Sequence, residues 1–147
     1  MDISKNKDAM VILIAVLWLA CIVLGTIGYH VLAMCLGVVL MLLHALLGVA
    51  HNDVVNKKFL VYPLLIWAGL WIASFLLSGY YGDLFAGQMP SFTVLGLHPS
   101  FAPTVFFYWI GGQLTLNLGL YLYADKWLSE EQWEQFLDKV KSLKEVE

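Results

Sequence analysis

Apolar residues fill four long stretches of the chain, about 10-27, 31-50, 59-79 and 102-124, separated by two short polar breaks and one long aromatic connection. Each approaches the ~20 residues that a helix rising 1.5 Å per residue needs to cross ~30 Å of hydrocarbon. The pattern predicts four transmembrane helices. The run from Ala9 to Ala50 would be about 63 Å long as one helix, roughly twice the hydrocarbon thickness, so it must turn back on itself. Gly25, Gly28 and the Tyr29-His30 pair place that turn and make the first two spans a hairpin. The connection His51-Asn52-Asp53-Val54-Val55-Asn56-Lys57-Lys58 is short and polar. Pro63 is expected in the first turn of the third span, where a missing N-H costs little, so spans two and three are expected to be antiparallel neighbours.

Two segments depart from the transmembrane pattern. The outer connection, about 80-101, runs from Tyr80-Tyr81-Gly82-Asp83-Leu84-Phe85 through Met89-Pro90-Ser91-Phe92 to His98-Pro99-Ser100-Phe101. Its prolines forbid a continuous helix. Its rings suit the membrane interface, the favoured placement, or a re-entrant cap over the bundle. After span four, Ser129 with Gln132 three residues on forms a capping box, and Leu128 with Trp133 is placed as a hydrophobic staple, so a helix is expected to begin at Ser129. Its acids come early (Glu130, Glu131, Glu134) and its lysines late (Lys139, Lys141, Lys144), matching the macrodipole. Trp133, Phe136, Leu137, Val140 and Leu143 recur at three and four, which gives an amphipathic helix with one apolar face. Too short to be stable alone, that helix needs a surface for its apolar face: lipid, the protein's own loop or another protein.

Charge gives the bundle a direction. Of 147 residues 61% are hydrophobic and 13% charged, well above the apolar fraction of a soluble domain, and a second globular domain is not expected. All eight cations are lysines, and all lie at the N-terminus, between spans two and three, or after span four. By the positive-inside rule these segments face the cytoplasm, so both termini are expected there in a multi-pass protein of the cytoplasmic membrane. The organisation expected is therefore all-α: a four-helix transmembrane bundle over 1-124 and a cytoplasmic amphipathic helix over 125-147. Seven of the eleven acids lie between Asp125 and Glu147, a balance opposite to the clustered cations that nucleic acid requires. Lys5 and Lys7 before an apolar run resemble a signal peptide, but the bulky Trp18 three residues before Cys21 disfavours cleavage. Cys21 and Cys35 could approach one another, although small buried thiols are the plainer reading.

Candidate chemistry is sparse. In span four Gly111, Thr115 and Gly119 form a small-residue stripe that lets another helix approach closely, while Gln113 and Asn117 point to the opposite side. Amides in hydrocarbon need partners, so whichever face the chain's own helices leave uncovered is suited to association. Gly111, Thr115, Gly119, Gln113 and Asn117, together with Trp133, Phe136, Leu137 and Val140, are the candidate partner-binding residues. His44 is the one titratable side chain well inside a span, a position that marks a possible intramembrane polar site. A neutral imidazole bonded to a backbone carbonyl or to Asn117 is the favoured reading. Its face, with Ala33, Gly37, Met41, Gly48 and His51, reads as a packing surface. Haem ligation is disfavoured because His44 and His51 share a helix while His30 and His98 sit at the outer boundary. An outer metal site from His30, His98 and Asp83 has no supporting spacing. The spans contain no carboxylate, and no nucleotide or hydrolase motif occurs, so neither a cofactor nor catalysis is expected.

The segments Met89-Pro90-Ser91-Phe92-Thr93, Gly96-Leu97-His98-Pro99-Ser100-Phe101, Tyr108-Trp109-Ile110-Gly111-Gly112 and Lys126-Trp127-Leu128-Ser129-Glu130-Glu131 resemble those of small four-span bacterial membrane proteins associated with sodium:solute symporters. The resemblance covers mainly residues 89-131. It implies a non-catalytic accessory or regulatory subunit whose partner is a larger membrane transporter. The alternative is a small homo-oligomeric transporter or channel that uses His44, Gln113 and Asn117.

Overall fold

The computed structural model describes residues 1-50 and 53-144, so His51, Asn52 and the last three residues of the expected amphipathic segment, 145-147, lie outside the described residues. All regular structure among them is helical, with two isolated β-bridges. Helices α1 (Lys7–Thr26), α2 (His30–Val49) and α3 (Lys57–Leu84) supply three segments long and apolar enough to cross a membrane, the first starting at Ser4. A fourth helical run, α4 (104-122), is followed by the short α5 (Ala124–Trp127) and by α6 (Glu130–Lys144). Helix α1 buries only Leu17 and leaves Val11, Ile12, Val16, Trp18, Leu19 and Ile22 more than half exposed. At about 25 cal/mol per Å² such an apolar shell would be costly in water, which makes this a membrane-associated protein.

The first hairpin closes through a left-handed glycine. Gly28 has φ +96°, and the Tyr29 N-H reaches back to the Leu24 carbonyl at 2.9 Å, the six-to-one bond of a Schellman motif. Helices α2 and α3 run antiparallel. Val31 lies against Gly79 near one end, Val38 against Trp67 and Ala68 in the middle, and Leu46 against Phe59 and Leu64 at the other.

Helix α3 is longer than the sequence suggests at both ends. It continues through Tyr80 to Leu84, so the expected loop over 80-101 begins only at Phe85. At its other end the Asn56 side chain accepts from the Lys58 N-H and caps a start at Lys57. Pro63 consequently falls inside the helix rather than in its first turn. Tyr62 gives way to it with φ −120° and ψ 111°, the extended conformation favoured before proline, and α3 is broken there.

Three lysine-bearing segments converge on one end of the bundle. The Ile3 N-H donates to the Asp53 carbonyl and the Val55 N-H to the Met1 carbonyl, both at 2.8 Å, while Lys7 pairs with Asp53. Ile3, Val55 and Phe59 are each 1% exposed and seal this junction. The Tyr62 and Tyr123 rings meet edge to face at 6.2 Å, which brings the end of α4 to the same place. The opposite end carries the connection between α3 and α4. It folds over α3 through Tyr81, Phe85, Phe92 and His98, whose rings lie 5.8-6.4 Å apart in successive contacts. Its Val94–Leu97 bridge closes a turn whose central residues, Leu95 and Gly96, both have positive φ.

Candidate functional site

Helix α4 packs antiparallel to α3 along the small-residue side. A Cβ added at Gly119 would lie 2.4 Å from Pro63, one at Gly111 2.9 Å from Leu70, and one at Gly112 2.9 Å from the Trp71 indole nitrogen. Ser78 and Thr104 hydroxyls meet at 3.4 Å toward the far end. Thr115, 6% exposed, turns its hydroxyl onto the Gly111 carbonyl at 2.7 Å. An α-helix would give that carbonyl to the Thr115 N-H. Instead, Thr104–Gly111 and Gln113–Asn117 wind as π-helix with i→i+5 bonds, a form concentrated at functional positions. A second tie is the Tyr62 hydroxyl, which donates to the Leu114 carbonyl at 2.6 Å, from the break in α3 to the middle of α4.

Gly111, Thr115 and Gly119 therefore meet the chain's own α3, and the amides are left on the open face. Gln113 and Asn117 are exposed, and the Asn117 amide donates to the Gln113 side-chain oxygen. This bond satisfies one donor and one acceptor. Among the described residues the Gln113 NH₂ and the Asn117 side-chain oxygen have no hydrogen-bond partner. With Trp67, Trp71, Tyr108 and Trp109 the two amides line a pocket of about 260 Å³. Trp71 stacks on Tyr108 with ring centres 4.1 Å apart and donates its indole N-H to the Tyr108 carbonyl at 3.1 Å. Among the described residues the buried Trp67 indole N-H has no hydrogen-bond partner, an uncommon condition for a buried donor.

His44 is not a wall of that pocket. Its Nδ1 lies 2.9 Å from the Leu40 carbonyl, so this nitrogen carries the proton and donates one turn back along α2. On the face expected to be a packing surface, the chain's own helices leave His44, Met41 and Gly48 exposed and Ala33 and Gly37 half-buried, and a Cβ on Gly37 or Gly48 would meet nothing within 4 Å. The remaining residue of that stripe, His51, is outside the described residues. Cys21 and Cys35 are free thiols, the former 3.5 Å from the Ala33 carbonyl on the neighbouring helix.

The capping box forms as the sequence indicates. The Ser129 N-H donates to the Gln132 side chain at 2.7 Å and the Gln132 N-H to the Ser129 hydroxyl at 3.3 Å. From it α6 carries Trp133 and Phe136, stacked with centres 5.6 Å apart, and both are exposed with Leu137, while Val140 is half-buried. Among the described residues no cluster of His, Cys, Asp or Glu could hold a metal ion. Sequence reasoning missed the aromatic walls of the amide pocket, because Trp67, Trp71 and Tyr108 come from two helices and no single-helix periodicity joins them. Compared with known protein families, curated proteins and solved structures, the chain shows no match to any.

Proposed function

We propose that the protein is a non-catalytic accessory or regulatory subunit that docks on a larger membrane transporter, a sodium:solute symporter by the resemblance of residues 89-131. In this reading α4 is a fourth transmembrane span, both termini lie in the cytoplasm, and α6 is a cytoplasmic amphipathic helix that lays its Trp133-Phe136-Leu137 face on the partner. One observation carries it: the Gln113-Asn117 pair sits in the middle of an apolar helix, on the side that the chain's own helices leave open. Hydrocarbon offers these amides nothing, so a polar group of another helix completes them.

Affinity purification of the tagged full chain in mild detergent, read by mass spectrometry, is the test. A stoichiometric large transporter is expected in the eluate. Replacing Gln113 and Asn117 by Leu removes the amides while keeping the Gly111, Thr115 and Gly119 contacts with α3, and should weaken its retention about 5- to 30-fold, the range for one or two intramembrane hydrogen bonds. Recovery of self-associated chain alone would overturn the accessory reading and favour the homo-oligomeric transporter, for which solute flux in liposomes and its loss in His44→Ala become decisive.

A further inference from the structure

The lysine end of the bundle contains a groove that the accessory reading does not use. It is formed where α3 starts and α4 ends, has a volume of about 330 Å³, and is walled by Lys57, Lys58, Val61, Tyr62 and Tyr123. Three features define its chemistry. Both lysines are exposed, and among the described residues neither is in an ion pair; Asp53, the acid of the same connection, is taken by Lys7, and Asp125 by Lys126. Val61 and the two tyrosine rings give the groove an almost wholly apolar floor, with Val61 53% exposed. Lys57 and Lys58 are the first residues of the membrane-crossing helix Lys57–Leu84, so the cations stand where headgroups lie and Val61 about one turn deeper.

Unopposed cations over an apolar floor at headgroup depth match a molecule that is anionic above and hydrocarbon below. We propose that this groove holds one anionic phospholipid, its phosphate against Lys57 and Lys58 and an acyl chain along Val61 and the Tyr62-Tyr123 ring pair. The inference requires only that α3 spans a membrane; it does not depend on a protein partner. The lipid would seat on the two residues that join α3 to α4, since Tyr62 touches Tyr123 by its ring and Leu114 by its hydroxyl. It would therefore fasten α4 at the break in α3.

The full chain would be exchanged from nanodiscs containing equal phosphatidylglycerol and phosphatidylcholine into detergent, and the lipids that remain bound counted by native mass spectrometry. One phosphatidylglycerol per chain is expected, in preference to phosphatidylcholine, with millimolar inorganic phosphate unable to displace it. Two exposed lysines near the membrane are each worth enough that Lys57→Gln with Lys58→Gln should weaken retention roughly 10- to 30-fold. Lys139→Gln with Lys141→Gln removes the same charge from α6 and should change nothing. Val61→Trp keeps both lysines and fills the floor, so it too should abolish retention. Equal retention of the two lipids, unchanged retention in the Lys57/Lys58 variant, or retention that survives Val61→Trp would each overturn the site. Displacement by phosphate alone would reassign the lysines to a free anion and overturn the lipid. Far-ultraviolet circular dichroism of each variant should match that of the parent chain, which separates loss of the site from loss of the helices.

Discussion

Gly119 shows how a single residue sets the distance between two helices. The missing Cβ is what allows Pro63 to approach, and α3 cannot yield easily there, since the contact is with a proline ring at the break in its backbone. Gly119→Leu should destabilise the bundle by about 1-3 kcal/mol, as overpacking of a closed seam does. Thermal unfolding in detergent, followed by circular dichroism, would show a lower midpoint; an unchanged midpoint would mean that α4 does not pack here. The four-residue spacing made this stripe visible in the sequence. Its neighbour was not visible, because periodicity sorts residues onto faces without saying what each face meets. The same ambiguity explains His44: its backbone bond follows from the local α-helix, but the openness of the Gly37-Gly48 side depends on where α1 and α3 sit.

Legibility at the level of elements was governed by how local the signal is. The capping box at Ser129 and Gln132 involves residues three apart and could be read directly, as could the Gly28 turn. Pro63 could not be placed without knowing where α3 starts. With the cap at Asn56 the helix begins two turns earlier than the proline, and the Tyr62 break follows. The π-helical winding of α4 had no sequence signal beyond Thr115, whose hydroxyl competes for the Gly111 carbonyl. The box also gives a direct test of how α6 is held. Ser129→Ala removes the hydroxyl that receives the Gln132 N-H and should cost the helix about 1 kcal/mol. Amide hydrogen exchange over residues 130-135 should quicken roughly fivefold while α1 to α4 are unaffected. Unchanged exchange would mean that tertiary or partner contacts, rather than the cap, hold the first turn.

Across the whole molecule, charge and shape agree on an axis. The N-terminus and the connection before α3 are hydrogen-bonded together, and Tyr62 with Tyr123 brings the end of α4 beside them, so Lys7, Lys57, Lys58 and Lys126 belong to one end. The other end has the Gly28 turn, Asp83 and the aromatic connection, with no lysine. Met89 and Leu95 project from that connection 94% and 85% exposed. In the proposed topology α4 crosses the membrane although its winding is irregular, which keeps the lysine-bearing segments on one side as the positive-inside rule expects. The test uses a chain with Cys21 and Cys35 replaced by Ala and one new thiol, at Ser91→Cys in the aromatic connection or Ser142→Cys in α6. A membrane-impermeant maleimide should label the first in intact cells and the second only after permeabilisation. If both react from the same side, α4 does not cross. The amide pair would then lie outside the hydrocarbon, where water could satisfy it, and the need for a partner helix would disappear.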